Sequence, residues 1–345
     1  MITTDELRAL VARPQIAVSG SLACNLRCTY CTQIDVLLTR VTDNFLDDPR
    51  LNEVLERSPP AYVSVSGGEP LMNPATREFV ARAGRNGHKV IFDTNIIINR
   101  RRLAGLLDYW GPEAVGYINI SHHLDQDIAR DYIEERAALI DERGIPFFIK
   151  YVGVPGDLRV IGENMRYFRD RGYGVMCSHL QGPYRGRTFP GDYTVGEVLG
   201  FLDLFTMQIN ALQLFGGIRS KGLPCRSGQD TITWNMKGRG EVLPCVHGSG
   251  HPIALEETFF HTGERRRAPC REEACTAGIY FIYGFNGVMD EMDRFARLLS
   301  GETEFLGVDR ALEFLTGLQA AGHRIVHADR LGRLLDARRP AVLAI

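Results

Sequence analysis

Residues 15–31 read Gln15-Ile-Ala-Val-Ser19, then Gly-Ser-Leu-Ala, then Cys24-Asn-Leu-Arg-Cys28-Thr-Tyr-Cys31. A short strand feeds at once into a loop carrying three cysteines. Spacings of three and two residues do not give two C-x2-C pairs, so the loop is not a closed tetrahedral zinc site by itself. Three thiolates on a four-iron cube leave one iron without a protein ligand, and that corner accepts a small molecule. A zinc completed by a distant histidine, or three unrelated thiols, are the other readings the loop alone leaves open.

Working outward, strand-like runs recur at Ala61–Ser66, Lys89–Asp93, Gly116–Ser121, Phe147–Val152 and Gly174–His179. Helix-like stretches lie between them near Leu51–Arg57, Ala75–Gly84, Arg101–Tyr109, Asp127–Arg143 and Val160–Arg171. Such alternation predicts a parallel sheet with right-handed crossovers. Six strands suit a partial barrel, since a closed one needs eight. Upstream, Thr4 is expected to cap a helix to Ala12, with Leu7, Leu10 and Val11 on one face. Downstream, Gln181–Tyr193 reads as a Gly/Pro/Arg-rich loop and Thr194 caps a helix running to about Asn210. A hairpin is expected from Thr231–Asn235 through Lys237–Gly240 into Glu241–Leu243, and two or three helices between about Met289 and Arg338.

A second motif, Ser64-Val-Ser66-Gly67-Gly68-Glu69-Pro70, ends the second strand. Ligands of parallel α/β sheets bind at the strands' C-terminal ends. Two glycines allow close backbone approach there, and Glu69 offers a carboxylate to an ammonium group. Alone, the motif is also a tight turn.

Together, the cysteine loop after the first strand and Gly-Gly-Glu-Pro after the second resemble the radical S-adenosylmethionine (SAM) superfamily. The resemblance implies an α/β fold, a partial (βα)6 TIM-like barrel over residues 14–210, after an N-terminal helix over 1–13. It implies that Cys24, Cys28 and Cys31 ligate a [4Fe–4S] cluster, with the methionine amine and carboxylate of SAM on the open iron. Tyr30 is expected near the adenine, and Gly67, Gly68 and Glu69 at the methionine amine. Polar residues at the third and fourth strand ends, Asp93, Thr94, Asn95, Ser121 and His122, sit where similar proteins bind the SAM ribose and carboxylate. The implied chemistry is reductive cleavage of SAM to a 5′-deoxyadenosyl radical that takes a hydrogen atom from the substrate, the electron coming from a donor such as flavodoxin or ferredoxin.

Four further cysteines, Cys225, Cys245, Cys270 and Cys275, lie in the last third. A cysteine, a hairpin, Gly240, then a cysteine past four residues resembles the opening of SPASM and Twitch auxiliary-cluster domains. The resemblance implies one auxiliary [4Fe–4S] cluster within a small domain over 211–283, a β-hairpin plus helices, followed by closing helices over 284–345. The four-residue gap between Cys270 and Cys275 departs from the commoner two, which leaves His247, His261 or a structural zinc as alternatives. Cys177, in Val175-Met-Cys-Ser-His179, belongs to neither group. It is either a hydrogen-atom donor at the barrel mouth, as in an epimerase, or a buried small hydrophobe.

Composition narrows the field. The 345 residues are 44% hydrophobic with a formal net charge of −2, which supports a real core and gives no electrostatic case for nucleic acid. No apolar run is long enough for a membrane span, and Asp5 and Glu6 lie where a signal peptide would be basic, so a cytoplasmic protein is expected. In that compartment cysteines bind metal or do chemistry more often than they form disulfides. Tyr184, Arg185 and Arg187, with Arg265–Arg267, suggest an anionic or sugar-like small substrate, such as a sugar nucleotide. Aminocyclitols and nucleosides fit the same reading. A ribosomally made peptide is the rival, although only fourteen residues precede the first strand, too few for a leader-binding domain. A non-catalytic iron–sulfur or zinc protein is a third reading, against which the Gly-Gly-Glu-Pro loop speaks. Anaerobic protein is expected to hold about eight irons per chain by iron analysis if both cubes are present; about four would remove the auxiliary cluster.

Overall fold

The computed structural model describes residues 2–41, 44–228, 231–234, 241–245, 252–264, 268–276 and 291–338. Six parallel strands build the frame: β1 (Gln15–Ser21), β2 (Tyr62–Gly67), β3 (Lys89–Thr94), β4 (Val115–Ser121), β5 (Phe147–Gly153) and β6 (Val175–His179), hydrogen-bonded in chain order. Helices α2 (Pro49–Arg57), α3 (Thr76–Arg85), α4 (Arg100–Ala114), α5 (Arg130–Asp141) and α6 (Leu158–Arg169) connect them. Each strand lies within a residue or two of its expected place. The fold is an α/β partial TIM-like barrel.

Alternation along the strands sorts the side chains. Ile16, Val18, Val63, Val65, Val90, Phe92, Ile118 and Ile120 are buried toward the helices; Phe92, for example, stacks on Trp110 of α4 with ring centroids 5.2 Å apart. The inner face differs between its two ends. Near the strand starts it is aromatic: the Tyr62 hydroxyl donates to that of Tyr117 at 2.5 Å, and Phe295 packs edge-on against Tyr117. Near the strand ends it turns polar. Ser19 pairs in register with Ser66, and Asp93 with Asn119. The bottom is therefore plugged and the top is left chemically open.

The sheet does not stop at six strands. β11 (Thr231–Trp234) lies parallel to β1, and β12 (Val242–Leu243) antiparallel to β11, giving the order β12-β11-β1-β2-β3-β4-β5-β6. The expected hairpin thus exists but adds to the edge of the main sheet. Trp234 is fully buried, and its indole N–H donates to Asp48 just before α2. The turn at 235–240 lies outside the described residues.

Three other expectations are corrected. Thr3, not Thr4, caps α1 (Thr4–Val11), because only Thr3 is extended and can exchange hydrogen bonds with Glu6 in a capping box. The stretch after β6 is not all loop: Gly182–Tyr184 (β7) and Arg187–Phe189 (β8) form a ribbon. Its two-residue turn has positive φ at Arg185 and Gly186, as a type I′ turn requires. Thr194 does cap α7, by a capping box with Glu197, but α7 (Val195–Leu204) ends early and α8 (Gln208–Leu214) follows separately. Among the described residues after 290, helices span Met292–Leu299, Val308–Ala320 and Ala328–Arg338, where two or three were expected.

Because β11 completes the edge of β1, its core should unfold with the barrel. Ile232→Ala, at a fully buried position, is expected to cost about 2–5 kcal/mol and to lower the midpoint of one cooperative denaturant transition. A separate early transition that leaves the barrel folded would contradict this.

Candidate active site

The two sequence motifs meet through backbone. The Gly68 amide donates to Ser21 O at 2.9 Å and the Glu69 amide to Ala23 O at 2.6 Å. A Cβ on Gly68 would stand 2.0 Å from Ala23 O, so no side chain fits there. Gly67 adopts φ +123°, which also requires glycine. These two positions therefore hold the start of the cysteine loop against the end of β2.

Glu69 is 1% exposed. Its carboxylate accepts from the Leu71 amide at 2.9 Å, the Thr94 hydroxyl at 2.6 Å and the Asn95 amide at 2.7 Å. Burial raises its pKa to about 7, opposed by those three donors. A carboxylate has about four acceptor sites, so one is left for a donor in the cavity. Glu69 thus joins β2 to the end of β3 first, and has less to offer an ammonium group than its sequence suggested.

The cysteine loop is tied from three sides. Thr29 donates through both its amide, at 2.7 Å, and its hydroxyl, at 3.1 Å, to Asp125 beyond β4. The Asn25 amide group donates to Ile97 O at 2.7 Å and accepts from Asn95 Nδ2 at 2.9 Å. The Cys24 amide donates to Leu38 O at 2.9 Å. The sulfurs are themselves approached by N–H groups: Leu26 N lies 3.4 Å from Cys24 Sγ and Gln33 N 3.4 Å from Cys31 Sγ.

Cys24, Cys28 and Cys31 all line one hollow of about 400 Å³ at the strand ends. Ser66, Gly67, Gly68 and Glu69 line it from β2, Asp93, Thr94 and Asn95 from β3, and Ser121 from β4. Its volume falls within the usual range for a small-molecule site. Burial pushes the Cys24 and Cys28 thiols well up, and the neighbouring acidic groups and other cysteines add to it. Three thiolates at this place need a cationic centre among them, and a cluster fits that need. Among the described residues no three His, Cys, Asp or Glu side chains are arranged to hold a single metal ion.

Tyr30 also lines the hollow. Its hydroxyl meets His123 Nδ1 at 3.0 Å and its ring lies edge-on to Tyr184, 6.4 Å between centroids. Burial brings His123 down to about 4, so its imidazole is neutral at pH 7. His122, named with Ser121 from the sequence, points the other way, to the Tyr151 hydroxyl and Ile128 O. His123 is the residue that reaches the site. Lys150, from β5, was missed. It lines the hollow with its side chain half-buried. A single lysine inside Phe147-Phe-Ile-Lys-Tyr-Val152 was a readable signal. It is the one Lys or Arg among the described lining residues.

Other expected residues fall elsewhere. Cys177 is fully buried, its thiol pushed up to about 12 by burial. Cys177 is not among the residues that line the hollow, whereas its neighbours Ser178 and His179 are. Arg187 forms an ion pair with Glu197 at 2.6 Å and donates to Asp192 O at 3.2 Å, so it is not a free anion clamp. Arg185 is exposed, its guanidinium 5.0 Å from the Tyr184 ring. Tyr184 is buried and is not a lining residue of the hollow, but its ring meets that of Tyr30, which is. Arg265–Arg267 and His247 lie outside the described residues, and His261 is exposed on the outer side near Arg50.

In the second group, Cys225 on β10 (Pro224–Cys225) and Cys270, just after β13 (Ala268–Pro269), come within hydrogen-bonding reach across an antiparallel pairing. The hydrogen bond with the Cys225 thiol lowers the Cys270 thiol, which also meets the Ser220 hydroxyl at 3.5 Å. Cys275 lies on β14 (Ala274–Cys275), paired with β9 (Ile218–Arg219). Cys245 is buried beside Pro244, whose carbonyl accepts from the Gly228 amide at 2.9 Å.

Residues 18–179 match the family model described as the Radical SAM superfamily, so the chain carries a radical SAM domain. The GTP 3′,8-cyclase of Chlorobaculum tepidum is 31% identical over 110 residues, which is 31% of this chain and 33% of that protein. The 7-carboxy-7-deazaguanine synthase of Methanothermobacter thermautotrophicus is 29% identical over 164 residues, 42% of this chain and 64% of that protein. The chain therefore spans about a third of one curated relative and under two thirds of the other. Both relatives are enzymes by name. Among solved structures, anSMEcpe with bound AdoMet and a peptide is 14% identical, covering 94% of this chain and 99% of that one, with a TM-score of 0.48. BtrN with AdoMet and 2-DOIA is 16% identical over 84% and 88%, with a TM-score of 0.33.

Gly68→Ala is expected to displace the cysteine loop, because its methyl carbon cannot share space with Ala23 O. The measurable result is loss of about four irons per chain relative to wild type. Full iron content in that variant would contradict the close contact.

Proposed function

With a radical SAM domain over residues 18–179 as the premise, we propose that this chain is a radical SAM enzyme that takes a hydrogen atom from a small polar substrate. Cys24, Cys28 and Cys31 hold a [4Fe–4S] cluster and leave its fourth iron for the methionine end of SAM. When bound, cluster and SAM together supply a 5′-deoxyadenosyl radical. The observation that carries this reading is the single hollow lined at once by all three cysteines, by Gly67, Gly68 and Glu69, and by the ends of β3 to β6.

Each lining residue then has work suited to its chemistry. Backbone groups at Gly67 and Gly68 and the remaining acceptor site of Glu69 receive the methionine ammonium. Lys150, a cation facing the hollow, holds the methionine carboxylate. Asn95 and Ser121 bond the ribose, and Tyr30, oriented by His123, packs near the adenine. The wall left for a substrate, Ser178, His179 and Gln181, is amide, hydroxyl and imidazole. With Arg187 engaged by Glu197, that wall supports a neutral, hydrogen-bonding molecule such as a sugar, aminocyclitol or nucleoside over a substrate that depends on an arginine clamp.

Cys225, Cys245, Cys270 and Cys275 hold one auxiliary [4Fe–4S] cluster, which suits net oxidation by accepting an electron from the substrate radical. A flavodoxin or ferredoxin provides the reducing electron at the first cluster. No described helix is long and apolar enough to cross a membrane.

The direct test is reduction of the anaerobic protein with dithionite in the presence of SAM: 5′-deoxyadenosine is expected, and its absence from protein with a full first cluster would end the proposal. Lys150→Met is expected to weaken SAM binding by about 1.5–3 kcal/mol, or about tenfold to a hundredfold in Kd. Equilibrium dialysis with labelled SAM measures this, and an unchanged Kd would remove Lys150 from the carboxylate.

A further inference from the structure

Gln213 is the one lining residue contributed by α8, and both ends of its amide are engaged. Nε2 donates to Thr276 O at 2.6 Å, and Oε1 accepts from Asn210 Nδ2 at 3.4 Å. Thr276 follows Cys275 directly. A side chain that faces the reaction cavity therefore also grips the strand end carrying a cysteine of the second group.

The helix that carries Gln213 is fixed at both ends. At its start, the buried carboxylate of Glu291 accepts from the Gln208 amide at 2.7 Å and the Ile209 amide at 2.6 Å. At its end, the chain turns through Gly216 and Gly217, both at positive φ. A Cβ on Gly217 would lie 1.9 Å from Cys275 O, so the two backbones are in direct contact. The next residue, Ile218, pairs with Cys275 across β9 and β14. The Cys275–Thr276 segment is thus held against α8 and the residues just after it by one side-chain hydrogen bond, one glycine contact and one strand pairing, of which only the first begins in the cavity.

We propose that Gln213 is a positioning residue that couples the contents of the reaction cavity to the second cysteine centre. It fixes the electrostatic surroundings of Cys275 by holding the Thr276 carbonyl dipole in place. A molecule that fills the cavity and presses on Gln213 alters that hold. The proposal rests on the reading of Cys225, Cys245, Cys270 and Cys275 as one centre.

The experiment compares wild type with Gln213→Met, which keeps the length and loses the donor. Gln213→Glu serves as a second variant that keeps the contact with Asn210 but turns an acceptor toward Thr276 O. Iron content is measured first, then the midpoint potential of each centre by EPR-monitored titration, with and without SAM. The expected result is a selective change at the second centre in both variants, equivalent to about tenfold in its one-electron equilibrium, or about 59 mV. Selective loss of the second centre, with the first intact, supports the proposal equally. A second-centre potential and occupancy unchanged from wild type would overturn it, as would equal changes at both centres. If wild type holds only about four irons, the reading of the second centre itself fails, and the proposal with it.

Discussion

A buried carboxylate with three donors holds the mouth of this barrel together. Taking Glu69 out of water is costly for its charged form, and the amides of Leu71 and Asn95 with the Thr94 hydroxyl offset that cost. Those donors come from the turn after β2 and from the end of β3. The same residue's own amide bonds Ala23 O at the start of the cysteine loop. One side chain and its backbone therefore join three consecutive strand ends. The geometry of every group around the hollow follows from where this knot lies.

The knot sits above a barrel that is filled unevenly. A TIM-type interior is normally packed with bulky apolar side chains. Here Tyr62, Tyr117, Phe148 and Phe295 do that only near the strand starts. Toward the strand ends Ser19, Ser66, Asp93 and Asn119 replace them. The aromatic plug supplies stability, and the polar rows leave space where ligands of such sheets bind. Fold and site use opposite ends of the same six strands.

Much of this was legible in the sequence because it is local. Strand and helix alternation fixed the barrel, and the two motifs at the ends of β1 and β2 located the hollow. The Thr194 cap was readable from a Thr followed three residues later by Glu197. What the sequence hid depends on partners distant along the chain. Nothing near Arg187 announced that Glu197 would neutralise it. Cys177 looked available because its place near the mouth was evident, while its full burial depends on what packs over it. The pairing of β11 with β1 joins residues more than two hundred positions apart, and a four-residue strand carries too little pattern to reveal its partner. Lys150 was visible as a charge inside an apolar strand, and the structure supplies the reason for it.

The placement of β11 has a consequence for how the chain is made. During synthesis β1 emerges among the first elements, yet its outer neighbour is translated only after β6 and α8 are complete. For that interval β1 offers a row of bare amides and carbonyls to any strand nearby, the situation that invites misassociation. Two features shorten the hazard: the flank is brief, and the cysteine loop follows it immediately. A nascent chain halted before residue 231 would keep that flank permanently uncovered, and its solubility would depend on what else shields it.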